Sequence, residues 1–251
     1  MVQFIHPSNN VYNVIYIYKN MKSMTKLTRD RARLIEKAYK FISQGVLVKD
    51  PYRLDIRGEL TCGKNVIIDI NVIIEGEVVL EDGVQIGASC ILKDCRVGKY
   101  SIIHPFSLVE SSVIGAKSFL GPYGRVRPGT KVGDKVQLGN FVEVKNSIIA
   151  ANCRVNHLAF IGDADLGENV TIGAGTITSN HDGLKFKSTQ IGKGAYVGSG
   201  CSLIAPLKIN SNSFIAAGST ITEDTNSDSL TIARARQVEV KGWKKPLKNK
   251  I

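Results

Sequence analysis

The chain has 251 residues, 43% of them hydrophobic, and its 33 Lys and Arg outweigh 22 Asp and Glu for a formal charge of +11. No stretch approaches the roughly 20 apolar residues that a membrane span needs, and residues 11–18 lack the flanking basic start and cleavage site of a signal peptide, so a cytoplasmic protein with no membrane partner is expected. The charge permits nucleic-acid binding, but the lysines are scattered apart from Lys241, Lys244, Lys245, Lys248 and Lys250, and no aromatic ladder is expected on the sheet faces. No nucleic-acid partner is therefore expected, and an anionic small-molecule substrate accounts for part of the charge.

Residues 1–25 show no clear period and form an N-terminal extension of unassigned role. An amphipathic helix is expected within residues 26–48: Thr28 is an N-cap candidate, Asp30 falls early, Leu34, Ala38, Phe41 and Ile42 make an apolar stripe, and Gly45 stops it. Asp50 and Pro51 then begin an extended segment.

From Ile68 a branched aliphatic recurs at every sixth position: Ile68, Ile74, Leu80, Ile86 and Leu92, then Ile114, Leu120, Val126, Val132, Leu138 and Val144, and again Ile191, Val197, Leu203, Ile209, Ile215 and Ile221. Neither an amphipathic helix nor an alternating strand repeats at six, whereas a solenoid whose coil is a triangle of three short strands does. The expected fold is mainly β, a parallel β-helix of hexapeptide repeats over residues 49–225 preceded by one α-helix. Steps of five, as from Val144 to Ile149, are absorbed at corners, and the small residues after the aliphatics, as in Val197-Gly198-Ser199, read as corner formers.

Residues 179–188 (SNHDGLKFKS) replace inward aliphatics with polar and basic groups, the pattern of a loop ejected for binding. Residues 226–251 form a basic tail whose single Trp243 suggests docking on a neighbouring subunit. Five cysteines (Cys62, Cys90, Cys95, Cys153, Cys201) stand at no metal-ligand spacing, so buried reduced thiols are expected.

A coil of about 18 residues, with coils stacked at roughly 4.8 Å, allows the sequence to be wrapped. Val126, Val144 and Ile161 fall in one column, so Arg127 and Lys145 become surface neighbours, a cation pair suited to clamping a phosphate. Glu143 lies within reach of the pair. A second column, Leu138, Val155, Ile172, Val197 and Ile215, carries Asn140, His157, Ala174, Ser199 and Ala217 two residues on. That describes a groove of small residues with His157 towards one end, where a neutral imidazole can act as general base and a carboxylate such as Glu143 can orient the ring.

Several stretches are distinctive: DPYRLDIRG (50–58), GPYGRVRPG (121–129), GNFVEVKNS (139–147), VNHLAFIGDADLGENVTIGAGTITSNHDG (155–183), VGSGCSLIAPL (197–207) and KGWKKP (241–246). Through them the chain resembles the C-terminal half of the bacterial bifunctional N-acetylglucosamine-1-phosphate uridyltransferase and glucosamine-1-phosphate acetyltransferase. The resemblance implies a left-handed β-helix assembled as a homotrimer, with acetyl-CoA bound between adjacent solenoids as co-substrate. It implies that His157 takes the proton of the acceptor amine and that Arg127 and Lys145 hold the sugar phosphate. It further places Ala174, Asn180, His181, Ser199, Ala217 and Arg234 around acetyl-CoA, and Phe160, Thr171 and Lys185 or Lys187 near the sugar. Backbone N–H groups near Ala174 would stabilise the thioester oxyanion.

Phe160 and His181 stand where the family usually has tyrosine, and Thr171 where it has asparagine, so acceptor affinity is more in question than the base. The uridyltransferase half lies outside this sequence; no UDP-sugar synthesis is expected of it, and a separate uridyltransferase is a candidate partner. A zinc carbonic anhydrase on the same scaffold needs three convergent histidines, and His6, His104, His157 and His181 form no such set in the wrap, so no metal is expected. The non-enzymatic alternative is a trimeric scaffold.

Overall fold

The computed structural model describes residues 26–244. It opens with the helix Lys26–Ser43, which buries Ala32 and Ala38 and rests Phe41 against the first coil. An Arg31–Asp55 ion pair and Lys37 Nζ, 3.2 Å from the Gly58 carbonyl, tie it down. A solenoid needs such a cover, because its end coil otherwise leaves an apolar cross-section in water. The helix starts two residues before Thr28, so that residue is not its N-cap; neither Lys26 nor Leu27 resists helical geometry. Ile42, expected on the apolar stripe, is 37% exposed. At Gly45 the backbone turns to φ +90° and its N–H donates to Ile42 O at 3.0 Å, ending the helix.

The remainder is a parallel β-solenoid with three walls. On the first, Val48, Ile68, Ile86, Ile103, Leu120, Leu138, Val155, Ile172, Val197 and Ile215 stand in one column, each coil paired in parallel with the next. The second wall carries Val109, Val126, Val144 and Ile161, and the third Ile114, Val132, Ile149, Leu166, Ile191 and Ile209. Every aliphatic of the six-residue period points inward, none more than 4% exposed. Each such side chain contributes about 1.5–3 kcal/mol by leaving water, and the inward column explains why the period is strict. Pairing on the first wall runs on to Leu230–Thr231, past the boundary expected near residue 225, with Thr231 replacing the aliphatic.

The small residues after the aliphatics do sit at corners, and close packing rather than positive φ is what requires them. Glycines directly after the aliphatic are needed for close approach: a side chain at Gly173 would meet Ser199 N at 2.4 Å on the next coil. The left-handed φ falls two residues later, at Gly175 (+71°) and Gly200 (+67°), and elsewhere on other glycines or on Asn, Asp, Ser and bulky residues. Phe106, Tyr123 and Phe141 hold that conformation at successive turns of one corner, and their rings stack with centroids 5.0 and 5.1 Å apart. Tyr196 and Phe214 stack at 4.6 Å on the outer side of the first wall. The expectation of no aromatic ladder is thereby corrected: rings distant in sequence meet because a coil brings them directly over one another.

All five cysteines are free, and all but half-buried Cys62 are buried. Burial pushes the thiols of Cys62 and Cys95 up to about 12 and those of Cys90 and Cys153 up to about 11. Among the described residues no helix is long and apolar enough to cross a membrane.

Candidate active site

The step from Ile172 to Val197 takes 25 residues where Val197 to Ile215 takes 18. The excess leaves the solenoid between Ile177–Ser179 on the second wall and Thr189–Ile191 on the third. It is a tight hairpin. Asp182 accepts from the N–H of Leu184 and Lys185 at 2.9 and 2.7 Å, which holds its carboxyl below the usual range, and Lys187 N donates to Asn180 O at 2.8 Å. At its base the buried Asn180 amide donates to Asp163, which also accepts from Asn146.

On the second wall Arg127 follows inward Val126 and Lys145 follows inward Val144, and Arg127 N donates to Val144 O at 2.8 Å, so the two cations do stack one coil apart. Glu143 Oε1 accepts from an Arg127 guanidinium nitrogen at 2.8 Å, with Arg125 3.9 Å away. The Lys145 ammonium instead sits 4.2 Å from the centroid of the Phe186 ring, which the hairpin delivers. Phe160 occupies the same wall one coil above Glu143, and its ring lies over Gly162, where any side chain would meet the ring carbons at 2.7 Å.

Around the corner, Asn140 and His157 are register partners at the end of the first wall. His157 Nδ1 lies 2.5 Å from Asn140 Oδ1. An amide oxygen only accepts, so in the neutral ring Nδ1 carries the proton and Nε2 the lone pair. The expectation that Glu143 orients this ring is corrected: Glu143 stands on the second wall with its carboxylate engaged by Arg127, and the neutral Asn140 does the orienting. One consequence is that Arg127 and Lys145 are not two bare cations, since one of them already has a carboxylate partner.

Beyond His157 the row continues through Ala174, Ser199 and Ala217, each on the coil above the last: Gly175 N bonds His157 O, Gly200 N bonds Ala174 O at 2.7 Å and Gly218 N bonds Ser199 O at 2.8 Å. The adjacent corner column changes character at the same level, from Phe106, Tyr123, Phe141 and Leu158 to Gly175, Gly200 and Gly218. An apolar ridge thus ends in a shelf with His157 at the step. Among the described residues no backbone carbonyl takes the N–H of Ala174, Ser199 or Ala217, which leaves donors along the shelf. Arg234 reaches back to donate to Ala217 O, joining the shelf's far end.

The remaining expected residues are not brought together by one chain. Thr171 lies on the first wall between Arg154 and Tyr196, a different wall from Arg127, Lys145 and Phe160, because its inward neighbour Ile172 belongs to the Val155–Val197 column. Asn180 and His181 belong to the hairpin at the next corner, away from the Ala174–Ala217 shelf; Asn180 is spent on Asp163, and the His181 ring leans on Phe186 at 4.7 Å. Lys187 lines a cleft of about 520 Å³ with Lys131, Asp163 and Asp165 on the third-wall side, and Lys185 flanks Phe186 in the hairpin. Sequence reading missed Phe186 and the role of Asn140. An aromatic inside a polar ejected loop was the signal for the first, and its place one coil before His157 the signal for the second. Among the described residues no group of three His, Cys, Asp or Glu side chains is placed to hold a metal ion.

This architecture defines a hexapeptide-repeat β-solenoid: residues 188–223 match the bacterial transferase hexapeptide family (six repeats), and residues 56–140 match the GMPPB C-terminal domain. The chain is a homologue of the bifunctional GlmU proteins. It is 54% identical over 211 residues to the bifunctional protein GlmU of Nitrosospira multiformis, covering 84% of this chain and 46% of that protein. The bifunctional protein GlmU of an Azoarcus species is 48% identical over 213 residues, covering 85% and 47% respectively. The chain therefore spans about half the length of these curated relatives. The acetyltransferase domain of PglB from Neisseria gonorrhoeae, a solved structure, is 21% identical with a TM-score of 0.32 over 53% of this chain and 54% of that one, a level that bears on neither ligand nor chemistry.

Proposed function

We propose that the chain transfers the acetyl group of acetyl-CoA to the amine of glucosamine 1-phosphate, giving N-acetylglucosamine 1-phosphate for UDP-GlcNAc, peptidoglycan and lipopolysaccharide precursors. The observation that carries the reading is His157: its Nδ1 is committed to Asn140 Oδ1 at 2.5 Å, its Nε2 is left basic, and it stands where the apolar ridge gives way to the shelf. The acceptor phosphate would lie against Arg127 and Lys145, with Phe160 beside it. As the amine nitrogen forms its bond to the thioester carbonyl carbon, its proton passes to His157 Nε2. The oxyanion would be met by a shelf N–H such as that of Ala174. Collapse of the intermediate breaks the carbon–sulfur bond, and the departing thiolate takes the proton back from the imidazolium.

The separation of Thr171, Asn180 and His181 from the rest favours a homotrimer, in which a second copy's wall faces the shelf and completes the acetyl-CoA groove. The test is acceptor-dependent CoA release, followed as free thiol: turnover that requires glucosamine 1-phosphate supports the proposal. Acetyl-CoA binding without turnover on any amino-sugar phosphate supports instead an inactive trimeric scaffold, a reading that Phe160, Thr171 and His181 favour.

A further inference from the structure

Arg127 and Lys145 differ in what holds them. Arg127 is steered by the Glu143 carboxylate at 2.8 Å, whereas among the described residues no carboxylate pairs with the Lys145 ammonium, which rests 4.2 Å from the centre of the Phe186 ring. An aromatic face attracts an ammonium through its quadrupole without cancelling the charge, and the N–H donors that point away from the ring stay free. A carboxylate at the same place would neutralise the lysine and compete with an incoming phosphate. The ring is itself held: the hairpin is closed by Asp182, bridged between His181 and Phe186, and fastened to the solenoid through Asn180 and Asp163.

We propose that Phe186 is a positioning residue, which fixes the Lys145 ammonium over its ring so that the lysine meets the acceptor's phosphate fully charged and already aimed. This rests on the reading of Arg127 and Lys145 as a phosphate clamp. It gives the ejected hairpin a definite task, selection of phosphorylated over unphosphorylated acceptors, and places that task on a side chain that need not touch the acceptor.

The test uses the full chain, with Phe186→Leu keeping apolar bulk but losing the aromatic face, Phe186→Trp keeping the face, and each repeated in a Lys145→Ala background. Phe186→Leu is expected to raise the KM for glucosamine 1-phosphate about two- to five-fold, with kcat and the KM for acetyl-CoA unchanged. Phe186→Trp restores the KM, and in the Lys145→Ala background the leucine has no further effect. An unchanged KM in Phe186→Leu, or an increase that persists without Lys145, overturns the proposal. Should the unsubstituted chain bind glucosamine 1-phosphate in calorimetry but not acetylate it, the acetyl-transfer reading fails while the same comparison of Kd values decides Phe186. Should it bind none, both fall.

Discussion

Asn140→Ala isolates the feature on which the proposed chemistry turns. The substitution removes the oxygen 2.5 Å from His157 Nδ1 and nothing else that the fold requires, because Asn140 is half-buried and its coil is paired through backbone groups. A hydrogen bond between neutral groups contributes about 0.5–1.5 kcal/mol, so kcat/KM is expected to fall roughly two- to thirteen-fold. The loss arises from freeing the ring to rotate and to place its proton on Nε2, the nitrogen that must be basic. Asn140→Asp gives the complementary result. A carboxylate against Nδ1–H favours the imidazolium, the base must be neutral to act, and so the acid limb of the kcat/KM profile moves to higher pH. The assay is thiol release at varied pH, with thermal unfolding as the control for folding. An Asn140→Ala variant as active as the parent, together with an unmoved acid limb in Asn140→Asp, refutes the reasoning.

Arg127→Ala removes a charged hydrogen-bonding partner of the phosphate worth about 1.5–3 kcal/mol, so the acceptor KM rises roughly ten- to 150-fold in steady-state kinetics while the KM for acetyl-CoA stays put. Leu138→Ala, at a side chain only 1% exposed in the first-wall column, costs about 2–5 kcal/mol, read as a lower urea midpoint. The buried thiols set a pH dependence of stability. Unfolded thiols lose their protons near 9, whereas Cys62 and Cys95 hold theirs up to about 12 and Cys90 and Cys153 up to about 11. The unfolded chain therefore binds fewer protons in that window and stability falls as pH rises through it. Urea titrations at pH 8.5 and 10.5 measure the fall, and Cys95→Ala should lessen it.

The solenoid was legible in the sequence because most inward positions hold a branched aliphatic, and a period of six survives in the text of the chain. The same arithmetic stacked Arg127 on Lys145 and aligned His157 with Ala174, Ser199 and Ala217, since register depends on spacing alone. Side-chain direction does not depend on spacing alone. Glu143 could reach either His157 or Arg127, and a carboxylate beside a guanidinium takes the charged partner, leaving the imidazole to Asn140. Phe186 stayed hidden because the hairpin leaves the repeat and its fold is set by Asp182 and Asn180 rather than by the period. The rings of Phe106, Tyr123 and Phe141 were overlooked because corners were expected to hold small residues.

The most direct test of the central claim is glucosamine-1-phosphate-dependent CoA release by the unsubstituted chain beside His157→Ala at saturating acetyl-CoA. The account predicts turnover that requires the acceptor and falls by roughly 10²–10⁴ when the imidazole is removed. A His157→Ala chain that turns over at the parent's rate contradicts it.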